Sequence, residues 1–253
     1  MDTAAQYGQM DMNLPHDVVK LPSGGKFYKN KKSSIKVGYL TANDENILMS
    51  PNIIQSDGII KTLLKQKIYE PNFNVSELID GDVQAILLFL RNTAFGTEYR
   101  VSTIDPVTQK TFETVINLDE VNFIEPELQT NEKGLIGLTL PTSGKVVECR
   151  ILNIGEQEEI DKLTNQYPEG MIAPIATKRL EKQIVTLNGD DNKQNISVFI
   201  TQMPISDAKY IRQQLKLAEP RLDLRKEIIA PSGEKVFVNV TFGAEFFRPF
   251  FWL

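Results

Sequence analysis

The sequence predicts an α+β fold of two similar modules, each made of strands, then helices, then a closing β-hairpin. Three observations predict it. A Leu-Pro turn occurs twice, each followed by Lys and an alternating apolar segment. An apolar-periodic helical stretch with an acidic start follows each copy. Each half then closes on two alternating segments flanking a proline turn.

The first copy reads Leu21-Pro-Ser-Gly-Gly-Lys26, then a basic insert, then Ile35-Lys-Val-Gly-Tyr-Leu-Thr-Ala-Asn-Asp-Glu-Asn-Ile47. The second reads Leu140-Pro-Thr-Ser-Gly-Lys145, then Val146-Val-Glu-Cys-Arg-Ile151 and the acidic helix start Glu156-Gln-Glu-Glu159. Negative charge there is favourable beside the free amides of a first turn. A short helix follows in each half, Leu63–Ile68 and Leu180–Val185, with apolar residues three to four apart. The strongest helix signal is Val83–Asn92, where Val83, Ile86, Leu87 and Leu90 form one stripe; its counterpart begins at Ile205. Asp80 or Asp82, and Ser206 or Asp207, are N-cap candidates, because a side-chain oxygen can accept a free first-turn amide.

The hairpins are Tyr99–Ile104 with Thr111–Leu118, and Lys226–Ile229 with Lys235–Phe242. Their turns carry Asp105-Pro106 and Ala230-Pro231. The spacing between copies grows from about 119 residues at the Leu-Pro turns to about 126 at the hairpins, which a few inserted residues explain. The alternative is two similar arrangements that merely begin with the same turn. Ile196–Ile200 fits a helix or a strand.

The expected organisation is a disordered leader over 1–20, a first module over 21–118, a linker over 119–133 and a second module over 134–253. The leader lacks periodicity, and the linker is acidic and interrupted at Pro126.

A net charge of −5 argues against a protein whose main task is gripping nucleic-acid backbones. The basic run Lys26, Lys29, Lys31, Lys32 reads as a solvated loop rather than a phosphate site. No apolar run approaches a membrane span, and the start lacks the order of a signal peptide. One cysteine, Cys149, allows no internal disulfide and no Cys-rich metal site. These features imply a protein kept in a reducing cytoplasm or assembled there into something larger.

Chemistry is sparse. Asp44/Glu45 and Glu158/Glu159 are adjacent in sequence, so neither pair can face itself across a reacting atom. His16, the one histidine, lies in the leader, which leaves no Ser/His/Asp or Cys/His set. The Leu-Pro loops imitate the end of a phosphate-binding loop around Lys26 and Lys145. They lack its first glycine and the Ser/Thr after Lys, and they feed a strand instead of a helix. Catalytic, metal and cofactor sites are therefore all expected to be absent, with no small-molecule substrate. A nucleotide-binding enzyme is the weak alternative. The one site-like feature is the aromatic C-terminus: Phe246, Phe247, Phe250, Phe251 and Trp252. So much apolar surface must tuck into its own core or meet a partner.

At this point the residues resemble a family. Leu21-Pro-Ser-x-Gly-Lys-Phe-Tyr28, Val37-x-x-Leu-Thr41 and Asp44-Glu-x-Ile-Leu48 come first. Gly81-Asp82, Leu90-Arg91, Phe95-Gly-x-Glu-Tyr99, Phe199-Ile200, Met203-Pro204, Glu219-Pro-x-x-Asp223 and Phe242-Gly-x-Glu-Phe-Phe-x-Pro249 follow in order. The series resembles the T4-type bacteriophage base-plate hub and tail-assembly family over about residues 21 to 250. The resemblance implies a structural protein of the virion tail base plate, made in the host cytoplasm. Its partners would be other tail or base-plate hub proteins, or the tape-measure protein. An assembly chaperone absent from the mature virion is the alternative. The family often carries Cys-Pro-x-Cys-Gly knuckles at its hairpin turns, which would grip zinc. Here Ile104-Asp-Pro-Val-Thr-Gln109 and Ile229-Ala-Pro-Ser-Gly-Glu234 hold no cysteine, so the resemblance implies hairpins without zinc.

Overall fold

The computed structural model describes residues 15–49, 58–168, 170–242 and 244–247. Strands β1 (His16–Lys20) and β2 (Ser34–Gly38) pair antiparallel, with Val19 opposite Ile35, so the chain is ordered well before the expected end of the leader. The first Leu-Pro loop and the basic insert connect them. Helix α1 (Ala42–Met49) starts on a side-chain box: Asp44 accepts from the Thr41 amide at 2.6 Å and the Thr41 hydroxyl at 2.7 Å. Asp44 also meets Lys67 at 2.5 Å, both buried, at the end of α2 (Gly58–Lys67). Just beyond, Ile68 bridges back to Val37.

Helix α3 (Asp80–Phe95) buries Val83, Ile86, Leu87 and Leu90, the predicted stripe, and ends at Gly96 with φ 77°. Strands β3 (Glu98–Ile104) and β4 (Thr111–Asn117) form the first closing hairpin. The stretch expected as a linker is tied down. Its β5 (Phe123–Ile124) pairs with β9 (Arg221–Leu222), and the Glu127 amide donates to Leu217 O at 2.9 Å.

Between β5 and β9 the second half folds. Strands β6 (Ile136–Thr139), β7 (Val146–Cys149) and β8 (Ile184–Leu187) make one sheet in that order. Helices α5 (Ile175–Gln183), α6 (Lys193–Gln202) and α7 (Ile205–Ala218) pack on it, and α4 (Ile154–Gln166) packs on α5. Strands β10 (Arg225–Ile229) and β11 (Lys235–Asn239) form the second closing hairpin, and a 3-10 turn spans Ala244–Phe247.

Two of these expectations change, and one open alternative is settled. The expected helix Leu180–Val185 stops at Gln183, because β-branched Ile184, Val185 and Thr186 pair with β7 as a strand. Ile196–Ile200 is helical, capped by Asn192, which accepts from the amides of Gln194 and Asn195. The N-caps of α3 and α7 are Ile79 and Pro204, with no side-chain cap bond, so Asp80, Asp82, Ser206 and Asp207 do not cap as expected.

The apolar packing does not divide where the chain halves do. One core joins Val19, Ile35, Leu63, Leu87 and Leu90 to Ile228, Val238, Phe246 and Phe247 from the chain's far end. The other gathers Ile136, Val147, Cys149, Ile184, Ile211 and Leu215, with Ile79 reaching in from the first half. The closing hairpin of the second half thus completes the core of the first.

Candidate interaction surface

The two Leu-Pro loops are held the same way. In the first, Asp82 on α3 accepts from the Ser23 amide at 2.9 Å and the Ser23 hydroxyl at 2.6 Å, and also from the Tyr28 hydroxyl. In the second, Asp207 on α7 accepts from the amides of Thr142 at 2.8 Å and Ser143 at 3.0 Å. The carboxylates that sequence reasoning assigned to capping turn away from their own helices to latch a distant loop. In the first loop the amide of Gly25 is also spent, on the Ser23 hydroxyl. Lys26 and Lys145 point to solvent. The loop amides that a phosphate would need are already engaged, by the two carboxylates, the Ser23 hydroxyl and backbone carbonyls.

Where the halves meet, α3 abuts the end of α7. A Cβ on Gly81 would lie 1.8 Å from Pro220 O, so only glycine allows this approach. Beside it Asp80, Gln183, Arg212 and Glu219 line a pocket of about 330 Å³. Burial, then the neighbouring Asp80, pushes the Glu219 carboxyl up to about 7.

The predicted aromatic cluster divides. Phe246 and Phe247 are fully buried within the chain. Their rings meet edge-on at 5.2 Å, and Phe246 also packs on Phe242 at 4.7 Å and Tyr99 at 5.5 Å. Of the two readings of the aromatic end, these two residues tuck. Phe250, Phe251 and Trp252 lie outside the described residues.

Arg91, missed in the sequence as a site residue, anchors this end. Its guanidinium, shielded among apolar neighbours, donates to Phe246 O at 3.0 Å, Gly96 O at 2.6 Å and Glu98 O at 3.0 Å. The signal was there: Arg91 continues the Val83, Leu87 spacing of the buried stripe, and a charge at such a position must find partners.

The two closing hairpins lie side by side over the first core, with their turns joined. Asp105 accepts from the amides of Val107 at 2.9 Å and Thr108 at 3.1 Å in its own turn, and from Ser232 at 3.0 Å in the other. Burial opposes its ionisation, but these bonds outweigh that and hold the carboxyl below its usual range. These two turns hold no cysteine, and one carboxylate ties them together. Ile104, Val107, Val115, Ile229 and Phe237 stand exposed on the hairpins, with the Arg225 guanidinium 3.9 Å above the Phe237 ring.

The remaining predicted groups are structural. Cys149 is buried in β7, and burial pushes its thiol up to about 12. His16 sits on β1 against the Tyr69 ring. Glu158 and Glu159 diverge, to Lys61 at 2.5 Å and Lys182 at 2.7 Å. Among the described residues no group of three or more His, Cys, Asp or Glu side chains could hold a metal ion. Nor is any helix there long and apolar enough to cross a membrane.

No curated protein and no solved structure matches the chain. A family model does, described as T4 bacteriophage base plate protein, over residues 15–248. The match runs from the first strand past the buried Phe246 and Phe247, nearly the whole chain. With both latches, both hairpins and both cores inside that span, the chain belongs to the T4 bacteriophage base plate protein family and has a structural role in the phage base plate.

Proposed function

We propose that this protein is a non-catalytic building block of the central, hub region of a tailed-phage base plate, acting through contacts with other tail and hub proteins. The observation that carries this reading is the use of its chemistry-bearing groups. Asp82, Asp207, Asp105 and Arg91 are each spent on holding the chain's own loops and turns. Such a molecule offers surfaces to neighbours rather than a reaction centre to a substrate.

The two halves are, in this proposal, copies of one segment. Support comes from three recurrences: the carboxylate latch on a Leu-Pro loop, a proline-turn hairpin at the end, and a strand pairing in which Ile184 meets Cys149 as Ile68 meets Val37. Phe250, Phe251 and Trp252 remain the proposed partner-facing aromatics, since Phe246 and Phe247 have no surface to offer.

The test is quantitative mass spectrometry of purified tails beside the infected-cell lysate. Fixed stoichiometry in mature tails is expected. Presence in the lysate with absence from tails would replace the building block with an assembly factor. A nucleotide hydrolase activity abolished by Lys26→Ala or Lys145→Ala would overturn the non-catalytic reading.

A further inference from the structure

Where α3 abuts the end of α7, the pocket of about 330 Å³ has two kinds of wall. Ile151, Leu152 and Leu215, each less than a tenth exposed, make the apolar one. Asp80, Gln183 and Glu219 bring side-chain oxygens from the ends of α3, α5 and α7. Among the described residues these oxygens are short of donors. Gln183 is 8% exposed, and its Oε1 accepts no hydrogen bond. The Asp80 carboxylate accepts one, from the Gln84 amide at 2.7 Å, and the Glu219 carboxylate accepts none. Neither carboxylate has an ion-pair partner there.

The chain's own cations do not fill this deficit. Arg221 on β9 offsets part of the charge on Glu219, but its guanidinium donates to Lys216 O at 2.7 Å. Arg179 leans toward Asp161 at 3.8 Å. Arg212 and Lys216 stand exposed on α7, where water serves them. Lys61 on α2, which shares a second pocket with Asp80, is paired with Glu158. Burial and the carboxylate beside it hold Glu219 up at about 7, and burial raises Asp80 as well. Two carboxylates short of a cation and a buried amide oxygen short of a donor are one deficit: the pocket lacks positively charged N–H groups.

We propose that this pocket receives an arginine side chain presented by a neighbouring protein of the base plate, with its methylenes along Ile151, Leu152 and Leu215 and its guanidinium among Asp80, Glu219 and Gln183. That the neighbour belongs to a base plate rests on the function proposed above; the chemistry of the pocket stands apart from it. A long basic side chain has the two parts that the two walls ask for, an apolar stem and a charged head. A guanidinium carries five donors in a plane and can serve three separate acceptors at once, whereas an ammonium is a point charge with three. Asp80 belongs to the first half of the chain and Glu219 to the second. A guanidinium held between them ties the halves together beside the contact of Gly81 with Pro220.

The test uses the full chain and N-acetyl-arginine amide as the probe, followed by calorimetry and by the NMR signal of the Gln183 side-chain amide. Expected is saturable binding that moves that signal. Glu219→Gln should weaken it about tenfold and Gln183→Met about fivefold. Asp80→Asn, at an exposed position that leaves the fold intact, should weaken it about fivefold. Arg212→Gln should not weaken it. The cation displaces a proton from Glu219, so binding at pH 6 should release protons and be about fivefold weaker than at pH 8. N-acetyl-norleucine amide binding as tightly would reduce the pocket to an apolar cleft and overturn the proposal. N-acetyl-glutamate amide binding in place of the arginine probe would overturn it in favour of an anion site built on Arg179, Arg212 and Lys216. So would the absence of binding, or binding that none of the three acceptor variants weakens. Purified tails that lack the protein would remove the base-plate neighbour and leave these binding results untouched, so the two failures are told apart.

Discussion

The two latches share a geometry and differ in their electrostatics. Asp82 and Asp207 each sit in the first turn of a long helix and take hydrogen bonds from a Leu-Pro loop. Asp82 is walled off from water. Burial raises its pKa, and the bonds from Ser23 and Tyr28 only partly offset that. Asp207 also feels burial, but the bonds from Ser143 and Thr142 outweigh it, and its pKa falls. The difference traces to the insert after the first loop. That stretch carries Tyr28, buried at 4% exposure, whose hydroxyl closes over Asp82 and also accepts from the Ile79 amide at 3.2 Å. The second loop runs from Gly144 directly to β7 and has no such cover. Both carboxylates are fully buried; the insertion adds a buried hydroxyl to the first latch and covers Ser23, whereas Thr142 in the second loop stays exposed.

The largest test of this contrast is Asp82→Ala. It strands the Ser23 amide, the Ser23 hydroxyl and the Tyr28 hydroxyl where water cannot replace the lost acceptor. Each such orphan costs about 1–3 kcal/mol, so a loss of about 3 kcal/mol or more is expected in urea unfolding. A loss below about 1 kcal/mol would mean that water reaches the site, and the contrast would fail.

Tyr28→Phe comes next. It removes the lid's hydroxyl but keeps its ring, and makes the first latch resemble the second. The expected cost is about 1–2 kcal/mol, since one buried bond to Asp82 and the acceptor for Ile79 disappear together. Asp207→Ala should cost less, about 1 kcal/mol, because solvent can satisfy the freed amides of Thr142 and Ser143. If the Asp207 variant proved the more damaging of the two alanine variants, the ranking by exposure of the held loops would be refuted.

How much of this was legible beforehand depends on whether the signal was local. The Val83–Leu90 stripe, the proline-turn hairpins and the acidic start of α1 are written within a few residues, and the structure has them. Asp82 and Asp207 were visible as first-turn acids, but a cap and a latch look alike in sequence. Only the loop 59 residues before Asp82 decides between them. Arg91 was legible in principle as a charge on a buried stripe. The pairing of β5 with β9 and the far hairpin's place in the first core were not, because two-residue strands and contacts across half the chain leave no periodicity. The strand β8 was masked by helical spacing that continued from Leu180, although Ile184-Val185-Thr186 carried a competing β-branched signal.

The finest test uses pH on the conservative variants Asp82→Asn and Asp207→Asn. A carboxylate raised in the folded state binds its proton more tightly there than when unfolded. Its contribution is therefore greatest in acid and declines as pH rises through the folded pKa; that is the case of Asp82. A carboxylate lowered in the folded state contributes above its unfolded pKa and loses that contribution as pH falls through the folded one; that is the case of Asp207. The two stability differences should move in opposite directions in adjoining windows, that of Asp82 above about pH 4, close to the unfolded value of an aspartate, and that of Asp207 below it. On acidification the gap between wild type and Asp82→Asn should widen, while the gap for Asp207→Asn should narrow. The effect at each site is smaller than that of deleting the side chain, because asparagine keeps an acceptor for the loop. The sign is what discriminates. Two gaps that narrow together would place both carboxylates in the same solvated, hydrogen-bond-dominated regime, and Tyr28 would then shield nothing.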